Sequence, residues 1–316
     1  MNKCLKPECN AAGNLCLDGK PDPTECEYYQ KEECNDSRNL NQNGQNLPWS
    51  GNDLGPLDLE LLKAKNSKII IGIIGSHDTG KTTFLMMLYL QLMKGINLSK
   101  FTFSNSLTLN RWEVLASWGR EHNYLPATFP PHTSRNSLGE TGLLHIGMRD
   151  ELESCVDILL TDAPGEWFSA WAINEEAPNA QGAKWVIENS DIYILIADCQ
   201  KLLGTDRGNT KKEILDLITR LTISAQNKPF LLLWTKTDSA KKSDLLPSIV
   251  ETITKRINSS IPHAIEFEIN IVDQSTVVNA MNALLDKFEQ MQHLDDLSKS
   301  VLEYQSPFYA FKTKFV

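Results

Sequence analysis

The chain has 316 residues, 41% of them hydrophobic and 22% charged, enough apolar material for one large domain or two small ones. Its net charge of −9 and pI of about 5.3 argue against a general nucleic-acid binder, because phosphate contacts need an excess of Lys and Arg. No run reaches the ~18 to 20 apolar residues of a membrane span, and MNKCLKPECN lacks a signal-peptide core; the expectation is a cytoplasmic chain with no membrane partner.

Residues 1–34 hold five of the seven cysteines, spaced Cys4-x4-Cys9-x6-Cys16-x9-Cys26-x7-Cys34. Disulfides are disfavoured in the cytoplasm, so these read as thiols or metal ligands. Four thiolates at tetrahedral corners make a structural Zn²⁺ site and fold a segment too small for its own core. The expected ligands are Cys4, Cys9, Cys16 and either Cys26 or Cys34. The spacing contains no C-x2-C pair, which leaves buried thiols, or disulfides formed after isolation, as the alternatives. Residues 35–65 are rich in Asn, Gly and Pro at first and read as a linker ending in a short helix, LDLELLKAKN.

From residue 66 to 293 strands and helices alternate. KIIIGIIG (68–75) is a continuous β-branched run, the pattern of a strand buried on both faces of a parallel sheet. Next comes GSHDTGKTT, which fits G-x-x-x-x-G-K-[ST] with Gly75, Gly80, Lys81 and Thr82. In such a loop Gly75, Ser76, His77, Asp78, Thr79, Gly80 and Thr83 wrap backbone around phosphates. Lys81 reaches the β and γ oxygens and the Thr82 hydroxyl ligates Mg²⁺. The helix KTTFLMMLYLQLMKG follows, ending at Gly95, and lends its N-terminal partial charge.

A long stretch separates Thr82 from the second motif. It contains FSNSLTLNRWE, the loop FPPHTS and a strand, GLLHIGMR. VDILLTDAPG (156–165) is a second strand-to-turn unit and carries Asp162-Ala163-Pro164-Gly165-Glu166. DIYILIADC (191–199) is a third strand and NTKKEILDLITRLTISAQN (209–227) an amphipathic helix. PFLLLWTKTD (229–238) is a fourth strand, ending in Thr235-Lys236-Thr237-Asp238. A helix follows despite Pro247, then a strand IEFEINIVD (265–273), a long helix STVVNAMNALLDKFEQMQ and an aromatic tail, 294–316. Such alternation implies a mostly parallel sheet flanked by helices.

DAPGE resembles the D-x-P-G turn of translation-factor-class GTPases, and TKTD resembles the [NT]-K-x-D guanine-reading motif. A carboxylate accepts two hydrogen bonds from guanine N1–H and N2–H₂, whereas adenine would leave it without a partner. Three motifs in this order make the core similar to TRAFAC-class P-loop GTPases. The resemblance implies a Ras-like α/β fold, GTP and GDP as ligands, Mg²⁺ held through Thr82, Asp162 and a switch I threonine, the Gly165 amide at the γ-phosphate, and guanine selection by Thr235, Lys236 and Asp238. FSNSLTLNRWE followed by a P-x-x-T loop is similar to the bacterial double-GTPase group of conflict and antiviral gene clusters. That likeness favours Thr133 over Thr141 as the switch I residue. A fifth, base-backing motif is expected after IEFEINIVD, but VDQST departs from the family pattern.

His77 stands where small GTPases carry glycine, and either crowds the γ-phosphate or faces solvent. Asp78 matches the loop aspartate of translation factors, which helps hold K⁺ or Na⁺; the alternative is a turn residue facing outward. Glu166 occupies the water-positioning place. It accepts a hydrogen bond from water but offers no N–H, which predicts slow turnover without a partner. Trp167, Phe168 and Trp171 are either a nucleotide-gated protein contact or core, and the Cys-rich segment is the other candidate partner surface. The scattered histidines form no metal motif, and Cys155 and Cys199 read as core thiols. The function expected is a GTP-hydrolysing switch; the alternative is a nucleotide-binding scaffold that barely hydrolyses.

Overall fold

The computed structural model describes residues 3–4, 29–30, 51–62, 66–120, 141–151 and 154–304, with backbone alone for 3–4, 29–30, 60–61 and 293–304. The chain divides into two units, Met1–Trp49 and Ser50–Val316. In the first, β1 (Lys3–Cys4) pairs antiparallel with β2 (Tyr29–Gln30). Cys9, Cys16, Cys26 and Cys34 lie outside the described residues, as do Thr133, residues 35–50 of the expected linker and residues 305–316 of the tail.

The second unit is built on a seven-stranded sheet. Its strands are β3 (Ser67–Ile74), β4 (Thr102–Asn105), β5 (Gly142–Arg149), β6 (Cys155–Asp162), β7 (Ile192–Asp198), β8 (Phe230–Thr235) and β9 (Ala264–Glu268), in the order β4-β5-β6-β3-β7-β8-β9. The five strands from β6 to β9 run parallel, and β5 and β4 extend one edge antiparallel.

Side-chain alternation explains why the central strands read as unbroken apolar runs. In β7, Ile192, Ile194 and Ile196 enter one core while Tyr193, Leu195 and Ala197 enter the other. Both faces are covered, so both sets must be apolar. On one face lie α1 (Lys81–Met93), α2 (Leu109–Trp118) and α8 (Ser275–Tyr304); on the other lie α3 (Gly165–Ile173), α4 (Gln181–Asn189), α6 (Arg207–Ala225) and α7 (Pro247–Ser260). A short helix α5 (Cys199–Leu203) follows β7.

Several expectations shift. Pro247 is not inside its helix but at its first turn, where a missing N–H costs nothing. The described part of LDLELLKAKN lies in a 3₁₀ turn, Pro56–Leu61, rather than an α-helix, and Leu54 pairs with Leu143 as an added bridge on the sheet. β9 stops at Glu268, five residues short of the expected end. α8 continues through residue 293 to Tyr304, so the expected start of the tail falls inside a helix. Trp167, Phe168 and Trp171 are buried in the core beneath α3, so packing rather than a partner accounts for them. Cys199 is buried, which pushes its thiol up to about 12. Cys155, read as a core thiol, is exposed at the first position of β6, ahead of the buried part of the strand. No described helix is long and apolar enough to cross a membrane.

Candidate functional site

The carboxyl ends of β3, β6, β7, β8 and β9 all open on one side of the sheet, the place where parallel α/β sheets bind ligands. A cleft of about 480 Å³ lies there. It is lined by His77 to Thr83, by Pro164, Gly165 and Glu166, and by Thr235, Lys236, Asp238, Ser239, Asn270 and Ile271. The three motifs, distant in the chain, therefore meet around one space of ligand size.

The loop between β3 and α1 is held from outside through its carbonyls. Lys81 Nζ donates to Gly75 O at 2.9 Å and Ser76 O at 2.8 Å. Lys201 Nζ from α5 donates to His77 O, Lys236 Nζ to Asp78 O at 2.9 Å, and Thr235 Oγ1 to Thr79 O at 2.8 Å. In a trans peptide the N–H points opposite to the C=O. Anchoring the carbonyls of His77, Asp78 and Thr79 therefore aims the N–H groups of Asp78, Thr79 and Gly80 the other way, as an anion cradle requires. Gly80 closes the loop at φ +94°, a left-handed conformation natural to glycine, and caps α1. Burial holds the Lys81 ammonium down to about 8, against the raising pull of Asp162 and Glu166. An anion arriving beside it would raise that value again.

Asp162, at the end of β6, is buried and sits opposite Thr82: Thr82 Oγ1 to Asp162 Oδ1 is 3.4 Å. Two hard oxygen donors converging beside a phosphate cradle suit Mg²⁺. The other carboxylate oxygen, Oδ2, accepts from Arg111 Nη2 at 3.2 Å, a cation already at the place where a metal would be needed. Gly165 lies hard against the loop, with the position of a Cβ only 2.3 Å from His77 N, so no other residue fits there without moving the backbone.

Glu166 and His77 meet at the cleft, Oε1 to Nε2 3.7 Å, with His77 about half and Glu166 somewhat over a third exposed. His77 is thus neither buried against the loop nor turned simply to water. Asp78 is left-handed, φ +55°, and its carboxylate lies 3.6 Å from Lys236 Nζ. The counter-charge assigned from sequence to K⁺ or Na⁺ is supplied here by Lys236. Thr141 is buried and its hydroxyl donates to Gly182 O at 3.2 Å, which commits it to α4.

In the TKTD turn, Lys236 also has a left-handed backbone, φ +58°. Its Nζ is 2.8 Å from Asp198 Oδ2, whose carboxylate is fully buried and whose Oδ1 accepts from Lys201 N at 3.0 Å. Thr237 Oγ1 donates to Ile269 O at 2.8 Å, tying the TKTD turn to the segment after β9. Asp238 is exposed to the cleft and accepts from Ser239 Oγ at 2.9 Å. After β9 the cleft is lined by Ile269, Asn270 and Ile271 rather than by the VDQST stretch, because the strand ends early.

Asp198, Lys201 and Arg111 escaped the sequence reading. Asp198 carried a signal, a lone carboxylate closing an apolar strand just before a helix start. Lys201 and Arg111 carried none. Among the described residues no cluster of three or more His, Cys, Asp or Glu is placed to hold a metal ion.

The Double-GTPase 2 family model matches residues 69–288. No curated protein matches the chain. Among solved structures, nucleolar GTP-binding protein 1 of Plasmodium falciparum is similar at 14% identity and TM-score 0.48, covering 77% of this chain and 98% of its own. Roco2 RocCORdC of Methanosarcina barkeri bound to GDP is similar at 12% identity and TM-score 0.40, covering 72% of this chain and 51% of its own.

Proposed function

Because the chain belongs to the Double-GTPase 2 family, we propose that it binds GTP with Mg²⁺ and hydrolyses it to GDP and phosphate, changing its contacts with protein partners as it does so. The observation that carries this reading is the convergence of GSHDTGKT, DAPGE and TKTD on one cleft, with the loop carbonyls pinned outward. Lys81 exchanges its two loop carbonyls for phosphate oxygens, and the amides of the loop bear on the same charge. Mg²⁺, when bound, would be held by Thr82 and Asp162, with Thr133 as the proposed third residue, and would neutralise charge on the phosphates. Glu166 accepts a hydrogen bond from the attacking water. Water oxygen bonds to the γ-phosphorus as the β–γ bridge breaks, and the electron pair leaves with GDP. Asp238 pairs with guanine N1–H and N2–H₂, and the Lys236 stem lies along the ring.

Support for a zinc-bound head comes from the spacing of Cys4, Cys9, Cys16, Cys26 and Cys34 alone, and support for an antiviral setting from the family likeness alone. With the aromatics of α3 in the core, the proposed partner surfaces are the segment around Thr133 and the Cys-rich head. A second reading, a scaffold that binds nucleotide and barely turns over, is favoured by one observation: Glu166 has no N–H to offer the transition state.

Asp238→Asn is the test of ligand class. Asparagine presents N–H where the carboxylate presented oxygen, which suits xanthine. The expected result is weaker GDP and tighter xanthosine diphosphate binding by titration calorimetry; equal affinity of wild type for GDP and ADP counts against the proposal. Single-turnover hydrolysis separates switch from scaffold.

A further inference from the structure

Arg111 sits in the site without belonging to any of the three motifs. It is on α2, and its guanidinium reaches Asp162 Oδ2 at 3.2 Å while Thr82 Oγ1 is 3.4 Å from Oδ1. The two oxygens of one buried carboxylate thus face a cation on one side and a hydroxyl on the other. Arg111 is itself about three-tenths exposed, so water reaches the pair from the α2 side.

This placement is built rather than incidental. The Trp112 indole, beside Arg111 in sequence, donates to His145 O at 2.9 Å. His145 N donates to Thr108 Oγ1 at 2.9 Å, and Leu107 N donates to His145 Nδ1 at 2.9 Å. With Nδ1 accepting, Nε2 is the ring's donor, and it lies 3.1 Å from Asp157 Oδ1. His145 and Asp157 are buried on β5 and β6, and Asp157 and Asp162 share strand β6. The start of α2 is therefore locked to β5 and, through His145 and Asp157, to β6, the strand that delivers Asp162. A guanidinium carried by an anchored helix keeps its charge next to that carboxylate.

The geometry points to Arg111 as a built-in competitor of the divalent cation: it neutralises Asp162 when no metal is present and weakens metal binding when one arrives. The inference rests on the reading of Thr82 and Asp162 as the Mg²⁺ site of a guanine-nucleotide complex. Two consequences of opposite sign follow. With metal present, a positive charge beside a divalent ion lowers its affinity. Without metal, the same charge offsets Asp162 next to the phosphates and slows nucleotide loss. A partly exposed charge of this kind is worth up to ~1 kcal/mol, or about fivefold.

The experiment is release of a fluorescent GDP analogue from the full chain, chased with excess GDP, at graded free Mg²⁺ and in EDTA. Wild type, Arg111→Met and Arg111→Lys are compared. Expected for Arg111→Met is half-maximal slowing at about fivefold lower free Mg²⁺, together with about fivefold faster release in EDTA. Arg111→Lys, which keeps the charge and controls for the helix, stays within about twofold of wild type. A loss of structure would speed release at every Mg²⁺ concentration and so would not give the crossed pattern. An Arg111→Met midpoint equal to or above wild type overturns the competitor role while leaving the GTPase reading intact. A wild type that fails to bind GDP, or releases it without regard to Mg²⁺, overturns both.

Discussion

Raising the pH from 7 to 8.5 should weaken GDP binding about fourfold through one residue, Lys81. Burial holds its ammonium near 8, against an ordinary 10.5. At pH 7 about nine-tenths of the molecules carry the charge, and at pH 8.5 about one quarter do. A bound diphosphate replaces the loop carbonyls on Nζ with anionic oxygens and restores the proton, so binding at pH 8.5 should take up about 0.75 proton and at pH 7 about 0.1. The same displacement acts on folding. The folded value lies below the unfolded one, so the nucleotide-free protein is penalised by about 3 kcal/mol below pH 8, and the penalty fades as pH rises from 8 toward 10.5. The assay is titration calorimetry with GDP in two buffers of different ionisation enthalpy. Lys81→Ala should bind weakly and show neither the pH dependence nor the proton uptake. Wild-type affinity that is flat over this range, with heats independent of buffer, refutes the argument that burial lowers this lysine and phosphate restores it.

Other parts of the site make further predictions. Gly165→Ala places a methyl 2.3 Å from His77 N and 2.5 Å from Ser76 O; overpacking of ~1–3 kcal/mol should lower the melting temperature by several degrees and GDP affinity at least about tenfold, and unchanged values would mean the loop yields easily. Glu166→Ala should slow single-turnover hydrolysis by ~100-fold with GTP affinity retained; an unaltered rate removes Glu166 from the mechanism. Elemental analysis of protein purified without chelators should find one zinc per chain, lost on substituting Cys4 or Cys9; metal-free protein with an intact melting transition would end the zinc proposal.

What the sequence determined by itself is local. β-branched runs between Gly-containing turns mark strands with two buried faces, and spacing within eight residues marks a glycine-closed loop between strand and helix, because those constraints act along a contiguous stretch of chain. Gly80 and Lys81 could be assigned their places for that reason. DAPGE and TKTD were legible only as ordered members of a set. Strand order, the antiparallel edge of β4 and β5, and the early end of β9 were not legible, since they depend on which neighbours each strand meets. The residues found only in three dimensions share that cause. Asp198, Lys201 and Arg111 act at a distance: Lys201 reaches back to His77 from α5, Asp198 is buried against Lys236, and Arg111 crosses from α2 to Asp162. Each contact joins groups far apart in the chain, so no local pattern encodes it. The same holds for His77, whose partner Glu166 became visible only when β3 and β6 lay side by side and brought their carboxyl ends together.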